Sequence, residues 1–510
     1  MTEIQTDREK IRSQIAEAYY KLSVVEQRIT QLISAIYEPV ARNALMACVH
    51  QAGLQDENGK VFSIKTFKPL LELLLETGVI VQHSGYGIQC HPLLAEIASR
   101  DAVRSGQFDQ LAAIVEQYFP IPTLWKGRRA FRSQRQFVRE VRIGIYRQDL
   151  TFINQQFEDY YHHSYQPEKI SINEICHQIC NSPFDADWFS TLPSELYKLC
   201  LSSILRESVL KLTSADEAFA LLQRDFQQNA ERDVDFLRTI LIEQLLLRGR
   251  LREARQNLKP IEQEYGWDSA VLWGWLTFLE GDGEEAIAHF SVALNALKKI
   301  SGKRQIFFNG IGGVFFILAL LQDGSPECLQ EAQSYSKFMT KQAGHWLRGI
   351  YGQLEQLLQL QQGDLAQKDP IIGTQFDTAQ LRNSMETLLQ CLCLYWVDTS
   401  TAKKRLPQIL ENFYQQADAV GYHWLAIQAA ILLSRLQPRN LYAARAHREV
   451  TLFGNGQQRE KEAMLLADLI RPQESWELSL NALAKFEPEP PAPVKPEAER
   501  RLDRKSTRLN

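Results

Sequence analysis

The residues best suited to chemistry lie in the sequence CHQIC, at Cys176, His177 and Cys180. On a helix, residues four apart share a face, so the two thiols could supply two metal ligands. A structural zinc site needs four ligands, and the sequence has no second Cys/His pair at zinc-finger spacing. We therefore interpret both cysteines as core residues, and Cys391 and Cys393 likewise. Eight cysteines scattered over 510 residues are typical of free thiols in a reducing cytosol.

Motifs for phosphate chemistry are incomplete in this sequence. Gly59-Lys60 lacks the Ser or Thr that follows the lysine of a P-loop. Asp216-Glu217 resembles the start of a helicase acidic box, but no β-prone run precedes it, and we interpret it as the acidic first turn of a capped helix. We assign no catalytic, metal-binding or cofactor-binding residue to this chain.

Basic side chains are concentrated between residues 125 and 147, against a single acid, Glu140. Arginine spacings of three and four predict that most of these charges lie along one side of a helix. Such a stripe could neutralise several phosphates of a nucleic acid. A docking surface for an acidic partner, or a plain solvated face, stays open as an alternative. The basic residues of this stretch are Lys126, Arg128, Arg129, Arg132, Arg135, Arg139, Arg142 and Arg147.

Residues 22–105 show the pattern of three helices followed by two β-prone runs joined by a tight turn. This order predicts a winged helix-turn-helix, whose third helix usually enters the major groove of DNA. The early polar residues of that helix are Lys65, Thr66 and Lys68, and we predict that they contact nucleic acid. The helix has no arginine, so sequence-specific readout is less favoured, and a protein-binding role stays open.

From residue 151 onward, apolar periodicity predicts paired helices. The clearest pair spans 269–294, where Gly283, Ala286, Phe290 and Ala293 match the second helix of a tetratricopeptide-like repeat. The turn glycines of the other pairs recur at irregular intervals. The fold class predicted is mainly α, with an irregular tetratricopeptide-like α-solenoid whose stacked hairpins leave a concave surface.

Composition divides the chain further. The Pro/Glu-rich stretch Phe486–Arg500 is typical of a spacer between folded parts, so we expect the natural protein to continue past Arg500. Asp503–Asn510 resembles a translated sequencing adapter. The predicted segments are an N-terminal helix or arm at 1–21, the winged-helix-like domain at 22–105, a basic helical connector at 106–150, a helical region at 151–240, tetratricopeptide-like hairpins at 241–370, a C-terminal helical region at 371–485, the linker at 486–502 and an adapter artefact at 503–510.

The formal net charge is −4, so overall charge favours neither nucleic acid nor membrane as a partner. The N-terminus is polar and is not a signal peptide. The longest apolar run, near Ile306–Leu321, is too short for a bilayer span and predicts a buried helix. We expect a cytoplasmic protein without membrane contact.

Three segments together resemble the N-terminal region of large bacterial Swi/Snf-type DEAD/DEAH-box helicases. They are VVEQRITQLISAIYEPVARNALMACVHQAGL, CHPLLAEIASRDAV and FRSQRQFVREVRIGIYRQD. The resemblance covers nearly all of the chain and none of the ATPase. It implies a non-catalytic regulatory region, with ATP and Mg²⁺ bound by a C-terminal part beyond this chain.

The partners that this resemblance implies are duplex DNA or RNA, a protein partner, or the protein's own C-terminal ATPase. Two other functions stay open. One is a helical-repeat scaffold for protein interaction. The other is a winged-helix transcriptional regulator with a tetratricopeptide-like sensor region.

Overall fold

The computed structural model describes residues 3–437 and Arg445, with gaps inside that range. Within the described residues the chain forms 22 helices and one two-stranded sheet, which confirms the mainly α class. The predicted linker at 486–502 and the segment at 503–510 lie outside the described residues. The gaps are 57, 84–86, 125–126, 164–168, 229–233, 259–266, 309, 343–344, 363–382 and 397–399.

The N-terminal part contains a small sheet among helices. Strands β1 and β2 are antiparallel, with Ile80 opposite Cys90. Val40 pairs with Ile88 on the free edge of β2, and the two residues exchange backbone hydrogen bonds of 2.8 and 2.9 Å. The elements are α1 (Glu3–Tyr20), α2 (Val24–Ile36), α3 (Arg42–Gln51), α4 (Ile64–Glu76), β1 (Ile80–His83), β2 (Gly87–Cys90), α5 (Ala95–Arg104) and α6 (Phe108–Tyr118).

Local sequence explains where α4 begins and ends. Ser63 and Thr66 form a reciprocal capping box, in which each side chain accepts from the other residue's backbone N–H, at 3.3 and 3.0 Å. Gly78 follows the helix with a φ of +74°, a conformation that glycine adopts without steric cost. The helix turns Phe67 and Leu71 into the core. The predicted third helix and the hairpin after it are thus present.

The basic stretch does not form one continuous helix. Thr123 and Arg129 form an isolated antiparallel bridge, so the backbone at these two residues is not helical. Helix α7 (Gln134–Tyr146) begins only after Ser133, whose side chain accepts from the N–H of Gln136 at 3.2 Å. The expectation that most of these arginines lie along one helix is therefore wrong, because the helix begins at Gln134, after the cap at Ser133.

The rest of the described chain consists of helices, most of them in antiparallel pairs. Of the apolar run Ile306–Leu321, the part from Gly312 onward lies in α17 and Val314–Leu321 is buried, as predicted, whereas residues 306–308 precede the helix. These helices are α8 (Leu150–His163), α9 (Ile172–Cys180), α10 (Ala186–Ser190), α11 (Ser194–Lys211), α12 (Asp216–Gln227), α13 (Val234–Leu247), α14 (Leu251–Asn257), α15 (Trp267–Leu279), α16 (Gly283–Ser301), α17 (Gly312–Asp323), α18 (Pro326–Gln342), α19 (His345–Gln361), α20 (Ser384–Trp396), α21 (Ser400–Ala419) and α22 (His423–Leu436).

The last helices of the described chain pack against earlier helices. Helix α20 packs against α11, where the Ser384 hydroxyl donates to the Val209 carbonyl at 2.7 Å. Helix α22 packs against α13, and the Trp424 ring lies 5.0 Å from that of Phe315 in α17. Every residue of α22 from Trp424 to Leu433 is buried. Helix α22 is therefore buried against helices that lie much earlier in the chain.

None of the described helices combines the length and the apolar character needed to cross a bilayer.

Candidate nucleic-acid interface

The first turns of α4 place the three predicted contact residues on the surface. Lys65, Thr66 and Lys68 are all exposed. Thr66 is already used in the capping box, which leaves its hydroxyl committed to Ser63. Lys68 makes only a loose 3.7 Å ion pair with Glu72, one turn later. The two lysines are thus the groups of α4 best placed to meet a phosphate.

Arg142 does not lie on the surface. Its guanidinium is fully buried, and its Nε donates to both carboxylate oxygens of Glu96, at 3.0 and 2.9 Å. The remaining nitrogens donate to the Ser34 carbonyl and hydroxyl, the Ala95 carbonyl and the Ser99 hydroxyl. This arginine joins α2, α5 and α7, so the prediction that it contacts a nucleic-acid surface does not fit its position.

Arg139 is buried as well. It donates to Glu38 at 2.8 Å, to Glu140 at 2.9 Å and to the Phe119 carbonyl at 2.8 Å. Glu140 is the one acid within the basic stretch, and Arg129 reaches it from the other side at 2.5 Å. Arg129 is half-buried, so these charges neutralise one another inside the fold.

The exposed remainder of the basic stretch consists of Arg128, Arg132 and Arg135. Burial raises the pKa of Tyr37 and Glu38, and the charge of Arg135 counters part of that rise. Lys126 lies outside the described residues. The expected stripe along one helix face is therefore reduced to three exposed arginines, and only Arg135 is on α7.

Burial controls the titration of the groups around Arg142. Burial and the Glu96 carboxylate hold the pKa of the Tyr146 hydroxyl well above its usual range. The hydroxyl therefore stays protonated and donates to Glu96 at 2.6 Å. Burial also raises the pKa of Glu38, although the charge of Arg139 counters part of that rise. These groups form a structural charge network in which the buried charges have hydrogen-bond partners.

The cysteines of the CHQIC motif are core residues, as predicted. Cys176 and Cys180 are buried, and Cys176 Sγ lies 3.9 Å from Cys200 Sγ on α11. His177 points elsewhere, with its Nε2 3.0 Å from the Thr213 hydroxyl. Burial, with help from the Lys211 and Arg8 charges, lowers the pKa of His177 to about 4.

The described residues contain no group of three or more His, Cys, Asp or Glu side chains that could hold a metal ion. The sequence likewise lacks a complete P-loop.

Comparison with known proteins identifies no relative: no family model, curated protein or solved structure matches the chain.

Proposed function

We propose that this chain is a non-catalytic binding region whose N-terminal unit is a winged helix that contacts duplex DNA. The observation that carries the proposal is the charge arrangement of α4. Its exposed first turns hold Lys65 and Lys68, whereas its acids, Glu72 and Glu76, come later. In helix-turn-helix proteins the N-terminal residues of the recognition helix are the ones that reach the groove.

The order of elements supports a winged helix. Helices α2, α3 and α4 precede the β1–β2 hairpin, and Val40, between α2 and α3, pairs with β2 as a third short strand would. In this proposal the hairpin lies against the DNA backbone beside α4. Arg135 is exposed on α7, and its charge acts on Tyr37 and Glu38 in the segment that leads into Val40, so the proposal includes it as a third cation.

We further propose that the region belongs to a Swi/Snf-type DNA-dependent ATPase. The support is the resemblance of the three sequence segments, together with the described architecture of a small N-terminal unit followed by a helical array. ATP and Mg²⁺ would then bind in another part of the full-length protein.

The test is the salt dependence of binding to a short duplex, measured by fluorescence anisotropy. Two lysines that each neutralise one phosphate predict a log–log slope of about −2, and Arg135 would bring it to about −3. The variant Lys65→Glu/Lys68→Glu should lose this binding. The matched variant Lys299→Glu/Lys303→Glu makes the same charge change on exposed residues far along the chain and should bind as the unchanged protein does. Equal binding by all three proteins would refute DNA contact through α4.

A second candidate function is the docking of a protein on the same face. Val61 and Ile64, at the start of α4, are 62% and 70% exposed, and neighbouring exposed apolar side chains are typical of an interaction surface. A docking role predicts that Ile64→Asp weakens association with the C-terminal part of the full-length protein while leaving DNA binding unchanged. Loss of DNA binding alone in that variant would favour the first candidate.

A further inference from the structure

A groove separate from the N-terminal unit lies along α18, facing the end of α16 and the loop after it. Its cavity volume is about 730 Å³, which is in the range of sites that hold small molecules or short peptide segments. The loop contributes Arg304, Gln305 and Ile306, and α16 contributes Lys298.

The middle of the groove is apolar. Tyr335, Phe338 and Ile306 line it and are each half-buried. The Tyr335 ring stacks on Phe307, with ring centres 4.4 Å apart and planes inclined by 25°. The stack holds the tyrosine in place, so the groove offers a fixed apolar contact surface for one side chain of a ligand.

Four cations surround this apolar part: Lys298, Arg304, Lys337 and Lys341. Within the part of the chain that the structure describes, none of them forms an ion pair with a carboxylate. The arginines of α7 differ, since there each buried guanidinium faces an acid. Four unpaired cations beside an apolar floor are complementary to a ligand that carries negative charge.

The charges are ordered along α18. Glu327 and Glu331 line the groove in the first half of the helix, and Lys337 and Lys341 line it in the second half. At 1.5 Å per residue, the distance from Glu327 to Lys341 along the helix is about 21 Å, which an extended peptide of about six residues spans. A ligand that follows this wall therefore meets both signs of charge in sequence.

We infer that this groove binds a short linear peptide of a partner protein, with acidic residues at one end, basic residues at the other and an apolar residue between them. The acidic end lies against Lys337 and Lys341, and the apolar residue lies on Tyr335 and Phe338. A nucleic-acid strand is less complementary, because its phosphates repeat at every nucleotide and some would face Glu327 and Glu331.

The experiment uses the full chain and a fluorescein-labelled octapeptide with two lysines at one end, two glutamates at the other, and glycine, phenylalanine, leucine and glycine between them. An octapeptide of the same composition with alternating charges serves as the control ligand, and a short oligothymidylate tests the nucleic-acid alternative. Tighter binding of the patterned octapeptide, by at least about tenfold over the alternating one, is expected. Equal affinity for the two peptides, or tighter binding of the oligothymidylate, would overturn the inference.

A charge-reversal variant distinguishes a loss of binding from a loss of folding. Lys337→Glu/Lys341→Glu should weaken binding of the patterned octapeptide at least about tenfold and should gain affinity for an octapeptide with lysines at both ends. Lys299→Glu/Lys303→Glu, on exposed residues that do not line the groove, should change neither affinity. A misfolded variant would lose both ligands, whereas the exchange of ligand preference requires that the groove itself selects by charge. Failure of that exchange in a folded variant would overturn the inference, whatever the outcome at α4.

Discussion

Arg142 gives the sharpest prediction, because its partners are so numerous and so deeply buried. Replacing it by methionine removes six hydrogen bonds and leaves the Glu96 carboxylate inside the fold with the Tyr146 hydroxyl still donating to it. An ion left buried after loss of its partner costs about 3–5 kcal/mol of stability. We expect Arg142→Met to lower the free energy of unfolding of α2, α5 and α7 by that amount.

Amide hydrogen exchange is the appropriate assay, because it reports opening free energies element by element. The fall should be confined to the N-terminal part, and α20 and α22 should keep their protection. The exposed neighbour on the same helix supplies the control: Arg135→Met should change stability by no more than about 0.5 kcal/mol.

A double-variant cycle tests the cause. Glu96→Met/Arg142→Met removes both charges, so it should destabilise less than the sum of the two single variants, with a coupling energy of about 1–3 kcal/mol. A cost below about 1 kcal/mol for Arg142→Met, or additive single effects, would refute the view that this arginine is an internal structural ion. Weakened DNA binding in a fully stable Arg142→Met protein would do the same.

Two further predictions concern stability. His177 has a pKa of about 4 in the folded chain, against an ordinary value of 6.5. Between these two pH values the unfolded chain binds more protons than the folded chain. The free energy of unfolding should therefore fall by up to about 3 kcal/mol as the pH drops from about 6.5 to 4. In His177→Gln that part of the pH dependence should vanish, and identical pH profiles of urea unfolding would contradict the assignment. A Cβ at Gly313 would lie 2.6 Å from the Tyr351 hydroxyl, so Gly313→Ala should destabilise by about 1–3 kcal/mol. Gly352→Ala meets open space within α19 and should stabilise by about 0.5–1 kcal/mol, and the opposite order in thermal unfolding would show that the packing is wrong.

The parts of the fold that could be predicted are those fixed by neighbouring residues. The start of α4 depends on Ser63 and Thr66, three residues apart, and the burial of α17 follows from its continuous apolar run. Both signals are local, and the structure contains both features. The buried state of Cys176 and Cys180 also follows from composition, because a lone Cys pair rarely does more than pack.

The burial of arginines in the basic stretch could not be predicted, because their partners are distant in sequence. Glu96 precedes Arg142 by 46 residues, and Glu38 precedes Arg139 by 101 residues. Sequence spacing places the arginines on a face but cannot say which face meets an acid from another helix. Ser133, whose side chain caps the start of α7, was a local signal that the arginine spacing led us to overlook.

The packing of α22 and the groove along α18 were missed for the same reason. Helix α22 contacts α13, which lies nearly two hundred residues earlier in the sequence. The groove draws Lys298, Arg304 and Lys337 from three successive segments. Lys337 and Lys341, four apart on one helix, were its one sequence signal.

The most direct test of the proposed function is amide hydrogen exchange of the full chain with and without a short duplex at low salt. DNA contact through α4 predicts slower exchange in residues 63–70 and in the β1–β2 hairpin, with no change around Arg139 and Arg142, which are buried already. Slower exchange in α7 without any change in α4 would contradict the proposal. It would indicate that the basic stretch forms the interface instead.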